Sequence, residues 1–126
     1  MDKYLAAVDT SGSMDTQLLA ECLSTINSLI DFVPFDLMQF DAAKTDGPYP
    51  FDKKRVEYDF KGRGGTDFQP VIDTCDERRY RGLIILTDGA AAPCTRPKTA
   101  HVLWVLPEGC NPPVDWGQRI HMQKYV

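Results

Sequence analysis

Residues 4–13 read YLAAVDTSGS, an apolar run that ends in a tight polar turn. The five residues Tyr4–Val8 predict a strand that is buried on both faces, as strands of parallel sheets are. The turn that follows carries one carboxylate, Asp9, and two hydroxyls, Ser11 and Ser13. We therefore expect these three side chains just past the carboxyl end of the first strand.

Five further runs predict strands, and two more segments predict helices. Apolar residues at helical spacing indicate a helix over Asp15–Val33, which Pro34 ends, and a shorter helix over Phe68–Arg78. Val56, Tyr58 and Phe60 alternate with charged residues, which predicts a half-exposed strand at one edge of the sheet, antiparallel to its neighbour. The remaining strands are expected at Phe35–Phe40, Gly82–Leu86, Val102–Leu106 and near Ile120.

The order of these elements predicts an α/β fold with few helices. Buried strands alternate with helical segments, so we expect a Rossmann-like, mainly parallel central sheet of about six strands with one antiparallel edge strand. The stretch Asp41–Pro50 contains Gly47, Pro48 and Pro50 and predicts a turn. The length of 126 residues suits a single domain that spans residues 1–126.

Three groups of polar residues are expected at the same end of the sheet. Asp9, Ser11 and Ser13 follow the first strand, Thr66 precedes the second helix, and Asp88 follows the strand Gly82–Leu86. Ligands of open parallel sheets bind outside the carboxyl ends of the strands, where the strand order reverses. If the first and fourth strands are neighbours, the clusters meet there. Two carboxylates and three hydroxyls suit Mg²⁺, Mn²⁺ or Ca²⁺ better than zinc, and neutral hydroxyl ligands leave an ion able to attract an external anionic oxygen.

The segments Asp9–Ser13, Gly64–Asp67 and Thr87–Gly89 together resemble the metal-ion-dependent adhesion site of von Willebrand factor A (VWA) domains. The order of strands and helices fits this family across about the whole chain. The resemblance implies a VWA fold and a protein-binding module, in which a partner carboxylate completes the coordination of Mg²⁺ or Mn²⁺. It assigns the metal to Asp9, Ser11, Ser13, Thr66 and Asp88.

A closer resemblance involves Gly64–Pro70, the tetrapeptide Leu86-Thr87-Asp88-Gly89, and Val102–Leu106. These segments look like the C-terminal VWA-like domain of bacterial metallopeptidase-associated proteins. Domains of that group are often associated with MoxR-type AAA+ ATPases, which implies such a system as a partner. The stretch from Gly89 to Thr99 is too short for a full crossover helix, so we expect one face of the sheet to be thinly covered.

Plainer interpretations exist for every site residue. Asp9 and Ser11 would serve equally as helix caps, although Asp15 competes for that role, and Thr66 or Asp67 would cap the second helix. Asp88 with Gly89 would serve as a simple turn. The alternatives to the metal-dependent module are a metal-free scaffold that binds through its sheet edge or helices, and a metal-assisted hydrolase.

Catalysis is not expected. A nucleophilic Ser11 would need a base, but His101 begins the fifth strand and should lie roughly 15 Å or more away, at the opposite sheet edge. The sequence contains neither a G-x-S-x-G motif nor a P-loop. We therefore predict that the chain is not an enzyme.

Composition and charge limit the partners and the cellular location that we expect for this chain. A formal net charge of −4 argues against nucleic acid or an anionic membrane as the partner, and no apolar run approaches the roughly 20 residues that span a bilayer. Met1–Lys3 is charged, so no secretory signal is expected. The four cysteines form no C-x-x-C pair, which argues against a zinc site, and they agree with a reducing, cytoplasmic location. Cys22 should be a buried, inert thiol, and Trp104 a core residue.

Overall fold

A computed structural model of the protein describes residues 3–29, 34–42, 44–51 and 65–122. It contains six strands and two helices within these ranges. In chain order they are β1 (Tyr4–Asp9), α1 (Thr16–Leu29), β2 (Asp36–Phe40), β3 (Thr45–Pro50), α2 (Gln69–Glu77), β4 (Gly82–Leu86), β5 (His101–Pro107) and β6 (Gln118–Met122).

The strands form one sheet in the order β3-β2-β1-β4-β5-β6. All neighbouring pairs are parallel except β2 and β3, which are antiparallel. The predicted α/β class, with about six strands and one antiparallel edge strand, is confirmed. The chain leaves β1 toward β2 on one side and later returns to β4 on the other side. The strand order therefore reverses between β1 and β4, as the site prediction required.

Each face of the sheet has its own apolar cluster. On one face, Cys22 and Ile26 of α1 pack with Ala6 and Val8 of β1 and with Leu37 of β2. On the other face α2 supplies Val71, Ile72 and Cys75, which pack against a cluster that includes Leu5, Ala7, Met38, Leu83 and Trp104. Trp104 and Cys22 are both fully buried, as predicted.

The prediction of a turn over Asp41–Pro50 is wrong for most of that stretch. Only its beginning turns, where the Lys44 N–H donates to Asp41 Oδ1 at 2.8 Å. Residues Thr45–Pro50 form β3, which pairs with β2 through a register shift between Leu37 and Gln39. Among the strands that the structure describes, β3 lies at the end of the order and pairs with β2, so the missing N–H groups of Pro48 and Pro50 are tolerated.

Other predicted boundaries shift slightly. α1 spans Thr16–Leu29 instead of starting at Asp15, and the predicted helical residues 30–33 lie outside the described residues. The expected edge strand Arg55–Phe60 also lies outside them, as does Gly64. Phe68 and Arg78, predicted as the ends of the second helix, are instead the residues that flank α2. Within the described chain, neither helix has the length and apolar character needed to cross a bilayer.

Candidate metal centre

Asp9 ends β1 at the carboxyl edge of the sheet and is fully buried there. One carboxylate oxygen, Oδ1, accepts the backbone N–H of Ser11 at 2.8 Å. The other, Oδ2, accepts the hydroxyl of Thr87 at 2.6 Å. The carboxylate is thus oriented by the turn that follows its own strand and by the residue that follows β4.

Ser11 and Ser13 lie in the turn between β1 and α1. Their hydroxyl oxygens are 3.2 Å apart, and the Ser11 side chain is buried. The turn is attached to the neighbouring strand by Thr10, whose N–H and hydroxyl both donate to the Phe40 carbonyl, at 2.8 and 3.1 Å. Asp15 caps α1 by accepting the Leu18 N–H at 2.7 Å. Asp9, Ser11 and Ser13 are therefore not needed for that role.

Thr66 reaches the same place from the loop before α2. The Gly65 carbonyl accepts the Ala42 N–H at 2.7 Å, which holds this loop against the end of β2. The Thr66 hydroxyl then lies 3.5 Å from Asp9 Oδ1, too far for a strong hydrogen bond. Its neighbour Asp67 points elsewhere and accepts the Gln69 N–H at the start of α2, at 3.0 Å. Asp67 therefore bonds to the first N–H of α2, whereas the N-cap position itself is Phe68, which makes no side-chain cap hydrogen bond.

Asp88 follows β4 and is half-buried, and its negative charge is the smallest of the causes that act on the pKa of Asp9. Its Oδ1 accepts the Ala90 N–H at 3.0 Å. Next to it, Gly89 adopts a φ of +80°, and a Cβ at this position would collide with the backbone carbonyl of Asn111. The turn after β4 therefore needs glycine where the motif has it.

Sequence reasoning did not assign a role to Thr87, although it quoted the residue within the third motif. The side chain is fully buried, donates to Asp9 Oδ2 and accepts the Gly89 N–H at 3.0 Å. Thr87 therefore connects the first motif to the third. The signal for this role was a hydroxyl at the last position before Asp88, but its orientation depends on the pairing of β1 with β4.

The pKa of Asp9 is raised above its ordinary value. Burial is the largest cause, because it disfavours the charged form, and the nearby charge of Asp88 acts in the same direction. Hydrogen bonds from Ser11 and Thr87 oppose this effect by stabilising the carboxylate. The centre therefore concentrates negative charge in a buried place, which is what a bound cation would relieve.

The donor atoms fit a small hard cation. Ligands at adjacent corners of an octahedron around Mg²⁺ are separated by about 3.0 Å, given metal–oxygen distances near 2.1 Å. The Ser11–Ser13 oxygen distance of 3.2 Å is close to that spacing. Among the described residues no group of three or more His, Cys, Asp or Glu forms a metal cluster. The set assembled here has two carboxylates and relies on hydroxyls for the rest.

The histidine considered as a base lies far from this centre. His101 pairs with Gly82, which pairs with Tyr4, so His101 stands at the amino edge of the sheet. Asp9 is at the carboxyl edge, five residues along β1 from Tyr4. The expected separation of Ser11 and His101 follows from this placement.

Comparison with known proteins gives two findings. The sequence model of the family described as VWA-like domain (DUF2201) matches residues 5–123. An uncharacterized protein of Thermotoga maritima is 29% identical over 107 residues, which cover 82% of this chain and 27% of that protein. The chain thus spans about a quarter of the length of the curated relative that it matches.

Proposed function

Because the chain belongs to the VWA-like domain (DUF2201) family, we propose that it is a protein-interaction module whose binding depends on a divalent ion. The ion is Mg²⁺ or Mn²⁺, and a carboxylate of the partner protein completes its coordination. The residues that hold it are those of the metal-ion-dependent adhesion site: Asp9, Ser11, Ser13, Thr66 and Asp88.

One observation carries this proposal: hydroxyl and carboxylate oxygens from three separate parts of the chain converge at the point where the strand order reverses. Asp9 Oδ2 accepts a hydrogen bond from the Thr87 hydroxyl at the end of β4. The Thr66 hydroxyl, in the loop before α2, lies near Asp9 Oδ1. The hydroxyls of Ser11 and Ser13 face each other beside it. A set of helix caps would not need this convergence, and Asp15 and Asp67 already accept N–H groups at the starts of α1 and α2.

The chain's own residues have distinct functions in this proposal. Ser11, Ser13 and Thr66 offer neutral oxygens as direct ligands, while Asp9 and Asp88 act through water and supply negative charge. When bound, the divalent ion supplies a positive centre with open positions for an anionic oxygen. Thr87 and the Ser11 N–H hold the Asp9 carboxylate in place.

The proposed partner is a protein that presents an acidic side chain, and a MoxR-type AAA+ ATPase system is the candidate. We propose a cytoplasmic location and no catalytic activity, because His101 lies at the amino edge of the sheet and His121 lies on β6, three strands away from β1. Neither nucleic acid nor a membrane is proposed as a partner, since the formal net charge is −4.

Calorimetric titration of Mg²⁺ and Mn²⁺ into the protein tests the metal site. We expect the wild type to bind at least one ion at millimolar concentration or below. Asp88→Ala should weaken that affinity about 10–100-fold, since carboxylates that hold metal-bound water have effects of this size. The half-buried position of Asp88 at the sheet rim predicts that the variant still folds, which thermal melts check.

Asp67→Ala provides a matched control. It removes a carboxylate from the same kind of motif, but this carboxylate is exposed and bonds to the start of α2. It should retain metal affinity and lose roughly 1 kcal/mol of stability. Binding of a purified MoxR-type ATPase is then measured with Mg²⁺ and with EDTA. If the wild type binds neither ion, or if Asp88→Ala binds as well as the wild type, the metal-site proposal is wrong.

A further inference from the structure

The turn after β4 is in contact with the segment that joins β5 to β6. This segment, residues 108–117, runs from the carboxyl edge of the sheet to its amino edge on the face that α2 covers. At the carboxyl edge it meets Gly89, the residue after Asp88. A Cβ atom on Gly89 would collide with the carbonyl group of Asn111, whose carbon atom it would approach to 2.8 Å. The backbone of Asn111 therefore lies directly against the turn that carries Asp88.

Gly89 is linked by hydrogen bonds to the buried carboxylate of the metal centre. Its N–H donates to the Thr87 hydroxyl oxygen at 3.0 Å. The same hydroxyl donates its own hydrogen to Asp9 Oδ2 at 2.6 Å. A displacement of Gly89 would therefore disturb two residues of the centre. It would move Asp88 through the peptide bond that joins them, and it would affect Asp9 through Thr87.

Two side chains of β6 hold residues 108–117 in place. The Arg119 guanidinium donates from Nη1 to Asn111 Oδ1 at 3.4 Å and from Nη2 to the Val114 carbonyl at 3.2 Å. A guanidinium presents its N–H groups in a fixed fork, so one side chain fixes two points of the segment. The His121 Nε2 donates to the Cys110 carbonyl at 2.9 Å and fixes a third point.

The alternation of β6 brings both side chains to the required face. Arg119 pairs with Trp104 and His121 with Leu106, and both partners belong to the apolar cluster on the face that α2 covers. Arg119 and His121 are themselves exposed. Neither is therefore needed to fill the core, and their contacts act mainly on the position of residues 108–117.

We infer that Arg119 is a positioning residue of the metal centre, although it lies three strands away from β1. It holds Asn111 against Gly89, and Gly89 in turn orients Asp88 and, through Thr87, Asp9. This inference rests on the proposed function, because it assigns to Arg119 an effect on metal affinity. Its test therefore includes one measurement that needs no metal.

The sign of the effect on affinity separates positioning from charge. Arg119 is a cation, so its removal would strengthen the binding of Mg²⁺ or Mn²⁺ if it acted only through its charge. Loss of positioning has the opposite effect. We expect Arg119→Ala to weaken the affinity about three- to tenfold in calorimetric titration with the metal alone. Arg119→Lys should recover part of that loss, because lysine keeps the charge and reaches one of the two acceptors.

The amide NMR signal of Gly89 reports the position of the turn in the presence of EDTA. Arg119→Ala should shift this signal relative to the wild type. Asn111→Ala removes one of the two acceptors of Arg119 and should shift the signal in the same direction by a smaller amount. Thermal melts check the fold, and both variants should melt within a few degrees of the wild type because the replaced side chains are exposed.

Arg96→Ala is the matched control. It also removes an exposed guanidinium, but Arg96 lines a pocket with Gly82 and His101 at the amino edge of the sheet. It should leave the Gly89 signal in place and change the metal affinity less than about twofold.

The inference is overturned if Arg119→Ala leaves the Gly89 signal unchanged. It is also overturned if the wild type binds metal and Arg119→Ala binds it equally well or more tightly. If the wild type binds neither ion, the metal-site proposal fails instead, and a shifted Gly89 signal still supports the positioning of the turn by Arg119.

Discussion

Asp9 is a carboxylate that the fold buries completely, and its neighbours divide into two groups. The Ser11 N–H and the Thr87 hydroxyl donate to it and favour its charged form. Burial and the charge of Asp88 favour the neutral form and prevail, because the pKa of Asp9 is raised. Buried carboxylates with a raised pKa cost stability, and they are found more often at functional sites than at positions that only stabilise the fold.

The sequence was sufficient to propose all five ligands, but it was insufficient to assign a role to Thr87. Asp9, Ser11, Ser13, Thr66 and Asp88 follow from their positions after strands and before a helix. The function of Thr87 requires knowing that β1 and β4 pair in parallel with Val8 opposite Leu86. Only then do Asp9 and Thr87 become neighbours across the sheet.

Thr87→Val should destabilise the protein by about 1–3 kcal/mol, although the shape of the side chain is nearly unchanged. The substitution leaves Asp9 Oδ2 and the Gly89 N–H without their hydroxyl partner in a buried place. It should also raise the pKa of Asp9 further, because a hydrogen bond that lowers it is lost. Urea unfolding and NMR titration of the Asp9 carboxyl measure the two effects.

Thr87→Ser is the control for that prediction. It keeps the hydroxyl and removes one methyl group, so it should keep the Asp9 pKa close to that of the wild type. Equal behaviour of the Val and Ser variants would show that the hydroxyl does not position Asp9.

β3 shows why elements are harder to predict than motifs. Gly47, Pro48 and Pro50 are turn-forming residues, and their local preference favoured a turn over Asp41–Pro50. The pairing of β3 with β2 is stronger than that preference, since Leu37 pairs with Tyr49 and Asp36 with Pro50. The irregular register between Leu37 and Gln39 accommodates Gly47. The local sequence does not predict such a shift.

Gly47→Ala should therefore destabilise β3 more than an ordinary glycine substitution would. Gly47 has a φ of +96°, and an added Cβ would lie 2.7 Å from the Leu37 carbonyl oxygen and 3.2 Å from Met38 Cα. Backbone atoms of β2 cannot move aside without breaking the strand pair. We expect a loss of more than about 1 kcal/mol in the free energy of unfolding, measured in urea.

Gly109→Ala is the control that separates the effect of the steric clash in Gly47→Ala from the effect of backbone strain. Gly109 also has a positive φ, +82°, but a Cβ there meets no atom within 4 Å. Both variants carry the strain of a left-handed conformation, and only Gly47→Ala adds the clash. If the two variants lose the same stability, the close approach of β3 to β2 is not what requires glycine.

The whole molecule was more predictable than some of its parts. Buried apolar runs, helical spacing and chain order were enough for the α/β class and for the reversal of strand order between β1 and β4. That reversal brought Asp9, Thr66 and Asp88 together before any distance was known. The short connection after β4 predicted a thinly covered face, but not which face; Ile84 and Leu103, near the amino ends of β4 and β5, are half-buried. That choice depends on the packing of Cys94, Cys110 and Trp116.

Burial on both faces of the sheet makes the stability of the whole molecule sensitive to alkaline pH. Burial raises the pKa of the Cys22 thiol to about 12 and that of the Cys75 thiol to about 11, both from an ordinary value of 9.0. The charges of Asp9 and Glu21 raise the Cys22 value further, and that of Asp76 acts on Cys75. The folded state thus holds these protons more tightly than the unfolded chain does.

The sign of the pH dependence follows from that difference. The stabilisation is fully present below pH 9.0, where both thiols are neutral in either state, and is lost as the pH rises toward about 11 to 12. Each thiol should contribute a slope of at most about 1.4 kcal/mol per pH unit above pH 9. Urea unfolding with a reductant at several pH values between 8 and 11 should show a shallower decline for Cys22→Ala than for the wild type, because one of the thiols with a raised pKa is absent. Cys75→Ala should act in the same direction on the other face, and the double variant should show the smallest decline. Parallel pH profiles for the wild type and all three variants would mean that the buried thiols do not link folding to pH.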